Sequence, residues 1–191
     1  MARPLEFDRT LAVQKALMLF WSRGYQATSL SDLTNDLQIS RSSFYAAFGD
    51  KRGLFLECLD QFAARSIAIL AEARARQAPL EALRAFFDHG FAMSVEDRSA
   101  WGCLLVNTVL EMADVDEDIC DYARRRLSEV EDAFHLCLKD TGCGPEKAAE
   151  LSSFLMLVNE GLRVSNRRAL PEAIQRQQID TTFRLLVTAL A

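Results

Sequence analysis

Arg41, Ser42, Ser43, Tyr45 and Ala46 crowd into six residues behind Ser40, and these side-chain types suit the edge of a DNA base pair. A guanidinium presents two parallel donors that match the acceptors of guanine, and serine hydroxyls serve bases or phosphates. Phosphate anchoring fits Thr28, the free N–H groups opening a short helix just after it, the Tyr45 hydroxyl and Lys51. The competing reading takes the same residues as helix caps and an ordinary polar face.

A second constellation lies in the mostly apolar run from Trp101 to Glu111, where Cys103, Asn107 and Glu111 recur at i, i+4 and i+8 and so share one helical face. Pointed inward, a thiol, an amide and a carboxylate in apolar surroundings make the composition of a small-molecule site, with Phe62, Phe86, Phe91, Phe134 and Phe154 as candidate walls. Equally, Asn107 and Glu111 bond neighbouring helices or face solvent, and the phenylalanines are core. Cys103 turns reactive only if it is accessible and a cation such as Arg98 lowers its pKa, whereas an unpaired cysteine is commonly a buried core residue. The acidic group Asp114, Asp116, Glu117, Asp118 and Asp121 reads as the start of a helix satisfying its dipole rather than as a cation site.

The elements that must position these residues are helices. The apolar residues Ala12, Ala16, Leu19 and Phe20 follow a helical period that Gly24 ends. Thr28 and Ser29 then cap a short helix carrying Leu30, Leu33 and Leu37, and Ser40 caps another carrying Phe44, Tyr45 and Phe48. This pair describes a helix-turn-helix, although its turn lacks the glycine often found there. A long helix from Lys51 to about Gln77 links it to five further helical segments over 79–94, 100–113, 116–141, 145–168 and 171–190. The last two carry apolar stripes, including Phe154, Leu155, Val158 and Leu162 and then Phe183, Leu186 and Val187, suited to a four-helix bundle across a twofold axis.

The 191 residues are 50% hydrophobic, enough to build a core, and 8 Gly with 4 Pro are too few for the turns of a β-sandwich or barrel. The net charge is −5, yet residues 1–53 hold 7 Lys and Arg against 5 Asp and Glu, and the remainder holds 15 against 22. Only the first part is suited to approach a polyanion. Five cysteines without a CxxC pair and two histidines give no ordinary zinc set, and no cofactor is implied. The absence of a long apolar window or an apolar leader makes a soluble cytoplasmic protein, away from membranes, the expectation.

The run from Gly24 to Leu33, then Ile39-Ser40-Arg41-Ser42-Ser43-Phe44-Tyr45-Ala46-Ala47-Phe48-Gly49-Asp50-Lys51, then Leu54-Phe55, resembles the DNA-binding signature of TetR/AcrR-type transcriptional regulators. The resemblance implies an all-α homodimer of about nine helices per chain. Residues 1–50 would form a helix-turn-helix domain and 51–191 a helical effector-binding and dimerisation domain. It implies phosphate contacts at Thr28, Tyr45 and Lys51 and base contacts from Arg41 through Ala46; Ala47 departs from relatives that carry a large side chain there. The expected function is repression from a palindromic double-stranded operator, relieved by a small molecule or by thiol modification. The rivals are a helical carrier or adaptor without DNA binding and a Cys103-dependent enzyme, the latter without a nearby histidine partner.

Overall fold

The computed structural model describes residues 7–95, 101–166, 168 and 170–191, with backbone alone for 91–95 and 166. Among the described residues the chain forms α1 (Arg9–Arg23), α2 (Leu30–Leu37), α3 (Arg41–Phe48), α4 (Lys51–Arg74), α5 (Pro79–Val95), α6 (Leu104–Met112), α7 (Glu117–Lys139), α8 (Pro145–Asn166) and α9 (Glu172–Leu190), with no strand. This is the all-α, nine-helix architecture the sequence predicts. Arg98 lies outside the described residues.

Side-chain caps start the helices where the sequence places hydroxyls and carboxylates, each satisfying an N–H that has no partner within its own helix. Asp8 accepts from the Leu11 N–H, Ser40 from that of Ser43, Asp50 from that of Gly53 and Asp116 from that of Ile119. Ser29 and Asp32 form a reciprocal capping box on α2. Helix α6 starts at Leu104, later than the period predicts, because the backbone at Gly102 turns through a φ of 69° and Cys103 makes no side-chain cap.

The turn between α2 and α3 resolves without glycine. Gln38 adopts the left-handed conformation at φ 57°, and its N–H and that of Ile39 close on the carbonyls of Asn35 and Thr34. That is the bonding of a Schellman close. Ile39 then packs against the core beside Leu37 and Phe44, which offsets the cost of the left-handed residue.

Two cores follow one another along the molecule. The first joins α1, α2 and α3 to the first half of α4, to α6 and to the start of α7, through Phe20, Leu33, Phe44, Phe55, Leu104 and Ile119. The second joins the end of α4 to α5, the second half of α7, α8 and α9, through Leu70, Phe86, Phe134, Leu155 and Phe183. Leu127 on α7 touches both cores. Residue 50 is therefore a helix boundary, while the first core continues past it, so α4 and α6 are packed directly on the helix-turn-helix.

Candidate nucleic-acid interface and internal cavity

Helix α3 is short, and its buried residues decide what it shows outside. Phe44 is 0% and Phe48 6% exposed, which turns Arg41, Ser42, Tyr45 and Ala46 toward solvent, with Tyr45 50% exposed. Arg41 has no ion-pair partner among the described residues, so its guanidinium donors remain available. The Ser40 hydroxyl lies 2.8 Å from that of Ser42 and 2.9 Å from that of Ser43, a chain of hydroxyls along the first turn. A polar, singly cationic, protruding helix face of this kind fits a major groove.

The loop between α1 and α2 is arranged differently from the sequence expectation. Thr28 is fully buried, and its hydroxyl donates to the Gly24 carbonyl at 2.7 Å, so it braces the loop. Lys51 donates to the carbonyls of Tyr25 and Thr28, both at 2.9 Å, and its ammonium sits 4.1 Å from the centre of the Tyr25 ring. Burial lowers its pKa, with the Glu111 carboxylate acting in the opposite direction. These two bonds use two of its three donors. The N–H groups of Leu30 and Ser31, first in α2, lack acceptors within the helix.

Glu111 reaches this loop from α6. Its carboxylate accepts the Tyr25 N–H at 3.0 Å and the Gln26 N–H at 2.7 Å. Asn107 donates to the Trp101 carbonyl at 2.6 Å, and both side chains border a recess beneath the loop beside Trp21 and Phe55. Cys103 is buried, and burial raises its thiol pKa against a smaller lowering by Arg163. Asn107 and Glu111 thus lie together on α6 and bond neighbouring backbone, whereas Cys103 stands before the helix in extended backbone and does not continue their face.

The expected phenylalanine wall separates as well. Phe86 and Phe134 meet edge to face at 5.1 Å inside the second core, and Phe154 is 39% exposed on α8. The Phe91 side chain lies outside the described residues. Phe62 packs edge to face on Trp21 at 5.2 Å and lines a cavity of about 690 Å3 between α1, α4, α5 and α8. Trp21, Arg65, His89 and Arg163 line it too, and none of these four was singled out from the sequence. They come from four helices, so no local spacing joins them. One signal was present: Gly90 lies mid-helix, and a Cβ there would run into the Arg163 guanidinium.

The acidic cluster is structural. Arg52 pairs with Asp116 at 3.0 Å and Asp118 at 3.1 Å, tying the start of α4 to that of α7. Among the described residues no group of His, Cys, Asp and Glu could hold a metal ion, and no helix is long and apolar enough to cross a membrane.

Residues 12–58 match the family described as bacterial regulatory proteins, tetR family, and residues 79–168 match the C-terminal domain of LmrA/YxaF-like transcriptional regulators. The chain is 30% identical over 164 residues to an uncharacterised helix-turn-helix transcriptional regulator of Bacillus subtilis, YezE, covering 84% of each. It is 30% identical over 193 residues to the transcriptional repressor ComR of Escherichia coli, covering 96% of this chain and 90% of that one. Among solved structures, a cysteine mutant of the regulator CifR, complexed with 26-base-pair double-strand operator DNA, superposes with a TM-score of 0.74 at 27% identity, covering 95% of this chain and 98% of that one. A regulator from Streptomyces coelicolor shares the fold, with a TM-score of 0.80 at 19% identity over 92% of this chain and 94% of that one.

Proposed function

Because the chain belongs to the TetR family of bacterial regulatory proteins, we propose that it is a homodimeric repressor that leaves its operator when a small effector binds the cavity between α1, α4, α5 and α8. Membership sets it among regulators rather than enzymes. The observation that carries the DNA half is the outward face of α3, where Arg41, Ser42, Tyr45 and Ala46 are exposed together over the buried Phe44 and Phe48. Arg41 addresses base edges. Tyr45, Lys51 and the start of α2 hold phosphates. One such helix reads few base pairs, so a second copy is required, and two copies read a palindrome. The exposed Leu157 and Val164 of α8 and Leu185 and Val187 of α9 supply an apolar surface for that pairing.

Release follows from how the cavity is built. Leu17 and Trp21 of α1 form one wall, and Phe62 and Arg65 of α4 another. A ligand that fits a rearranged wall better than the resting one moves α1 and α4 together, and its effect is limited by that difference in affinity. Non-covalent binding is favoured over thiol modification as the trigger, since Cys103 is buried and its pKa is raised. A salt-controlled gel shift against the DNA upstream of the protein's own gene tests the reading. A saturable complex containing two chains is expected, and binding no tighter than to unrelated DNA overturns it.

A further inference from the structure

The cavity between α1, α4, α5 and α8 has a one-sided charge. Leu17, Trp21 and Phe62 give it an apolar wall, Arg65, His89 and Arg163 give it cationic or protonatable groups, and no Asp or Glu lines it among the described residues. Arg163 is fixed against Gly90, whose lack of a side chain admits the guanidinium and whose carbonyl accepts from it at 3.2 Å. That acceptor is neutral, and no carboxylate pairs with Arg163 among the described residues. A guanidinium has five N–H donors, and the half-buried Arg163 commits one of them to that carbonyl among the described residues, which leaves the others open to an anion entering the cavity. The crowding registers in the groups themselves: burial lowers the pKa of Arg163, and burial, then Arg65 and Arg163, lower that of His89. A ligand bringing a negative charge relieves this, whereas a cation worsens it.

We propose that the cavity binds an apolar-bodied anion, a carboxylate or sulfonate on an aromatic or aliphatic frame, with Arg163 and Arg65 taking the anionic group and Trp21 and Phe62 the apolar body. The volume of about 690 Å3 suits a ligand of two or three fused or linked rings. The proposal rests on the effector reading only for its consequence at DNA and not for binding itself.

The test uses a matched pair of fluorescent probes, 8-anilinonaphthalene-1-sulfonate and its uncharged counterpart N-phenyl-1-naphthylamine. The sulfonate should bind one per chain and quench the tryptophan emission, to which Trp21 and Trp101 both contribute, on the order of tenfold tighter than the neutral probe. Arg163→Met should weaken the sulfonate by about tenfold and leave the neutral probe within about twofold. Arg65→Gln, a change at an exposed side chain that does not threaten folding, should weaken the sulfonate in the same direction. Equal binding of the two probes, no sulfonate binding, or sulfonate binding unchanged in both variants overturns the proposal. A parallel gel shift separates the two readings. Arg163-dependent probe binding that leaves the DNA complex intact defeats the effector role while the site stands; no sulfonate binding with operator binding retained defeats the site while the DNA-binding reading stands.

Discussion

The Glu111 carboxylate of α6 accepts the backbone N–H of Tyr25 at 3.0 Å, 86 residues earlier in the chain, and its other oxygen holds Gln26. The same loop is also held by Lys51, which donates to the Tyr25 and Thr28 carbonyls. A side chain of the regulatory half thus replaces water at the loop that sets α2 and α3 against α1. Glu111→Ala should lower stability by about 1–2 kcal/mol, the loss of two partly exposed charge-assisted bonds, and should weaken DNA binding without touching DNA.

Gly24 deepens that relationship. Its φ of 88° and ψ of 170° are open only to glycine, and a Cβ would lie 2.9 Å from the Glu111 carboxylate. Gly24→Ala should therefore destabilise by about 1–3 kcal/mol from backbone strain, with a further loss from pushing Glu111 aside. In the double variant Gly24→Ala with Glu111→Ala the second loss has already occurred, so the urea-derived effects should sum to less than the two singles. Strict additivity would show that the contact is passive.

Arg41 and Lys51 should behave differently on DNA. Arg41 is exposed and pairs with no carboxylate among the described residues, so Arg41→Ala should cost about 1–3 kcal/mol of operator affinity, relax sequence preference and leave the melting temperature unchanged. Lys51 braces the loop, so Lys51→Met should lower the melting temperature and the affinity together. Gel shifts over a salt series with thermal melts distinguish the two; a melting loss in Arg41→Ala would mean that α3 is structural.

The helix-turn-helix was legible because its signals are local. Asp8, Ser29, Ser40 and Asp50 each accept the backbone N–H three residues onward and so start the helix that follows them, and the Phe44–Phe48 spacing fixes which side of α3 is buried. What the spacing of Thr28 could not disclose is depth: its hydroxyl is consumed by Gly24. Likewise Asn107 and Glu111 lie together on α6, but the period of a helix does not say what they meet, which is the recess under the α1–α2 loop, and it could not show that Gly102 turns the backbone and leaves Cys103 outside the helix. The cavity escaped because Trp21, Arg65, His89 and Arg163 converge only after four helices pack.

Thiol reactivity gives an independent check on the release route. Cys58, Cys103, Cys120 and Cys137 are buried and only Cys143 is partly exposed. Burial raises the Cys137 thiol to about 11 and pushes the Cys58 thiol well above its ordinary range. In the native protein a brief exposure to iodoacetamide should label Cys143 first, with the other four following only on denaturation. Mass spectrometry that finds Cys103 labelled at the rate of Cys143 would move the trigger from binding to thiol chemistry.

The pairing surface is open to a charge test. Leu157 is 66% exposed on α8 and Val187 54% on α9, so neither contributes to the core of its own chain. Leu157→Glu should leave the helical spectrum and melting of the chain nearly intact while raising the dimer dissociation constant, read by light scattering across concentrations. It should also abolish cooperative operator binding. A dimer of undiminished strength would shift the interface to another face.

His89 reports on the charge of the cavity. Burial first, then Arg65 and Arg163, hold its pKa below the ordinary 6.5. The neutral ring is thus favoured in the folded chain. Its contribution to stability is complete above the unfolded value and is lost as pH falls through that value toward the folded one. Removing one cation should move the folded value up, so in Arg65→Gln the His89 ring resonances should titrate at higher pH than in the parent, and a bound sulfonate should move them further in the same direction. A titration that is the same in parent and variant would mean that Arg65 does not act on the imidazole, and with it would go the electrostatic part of the argument for an anionic ligand.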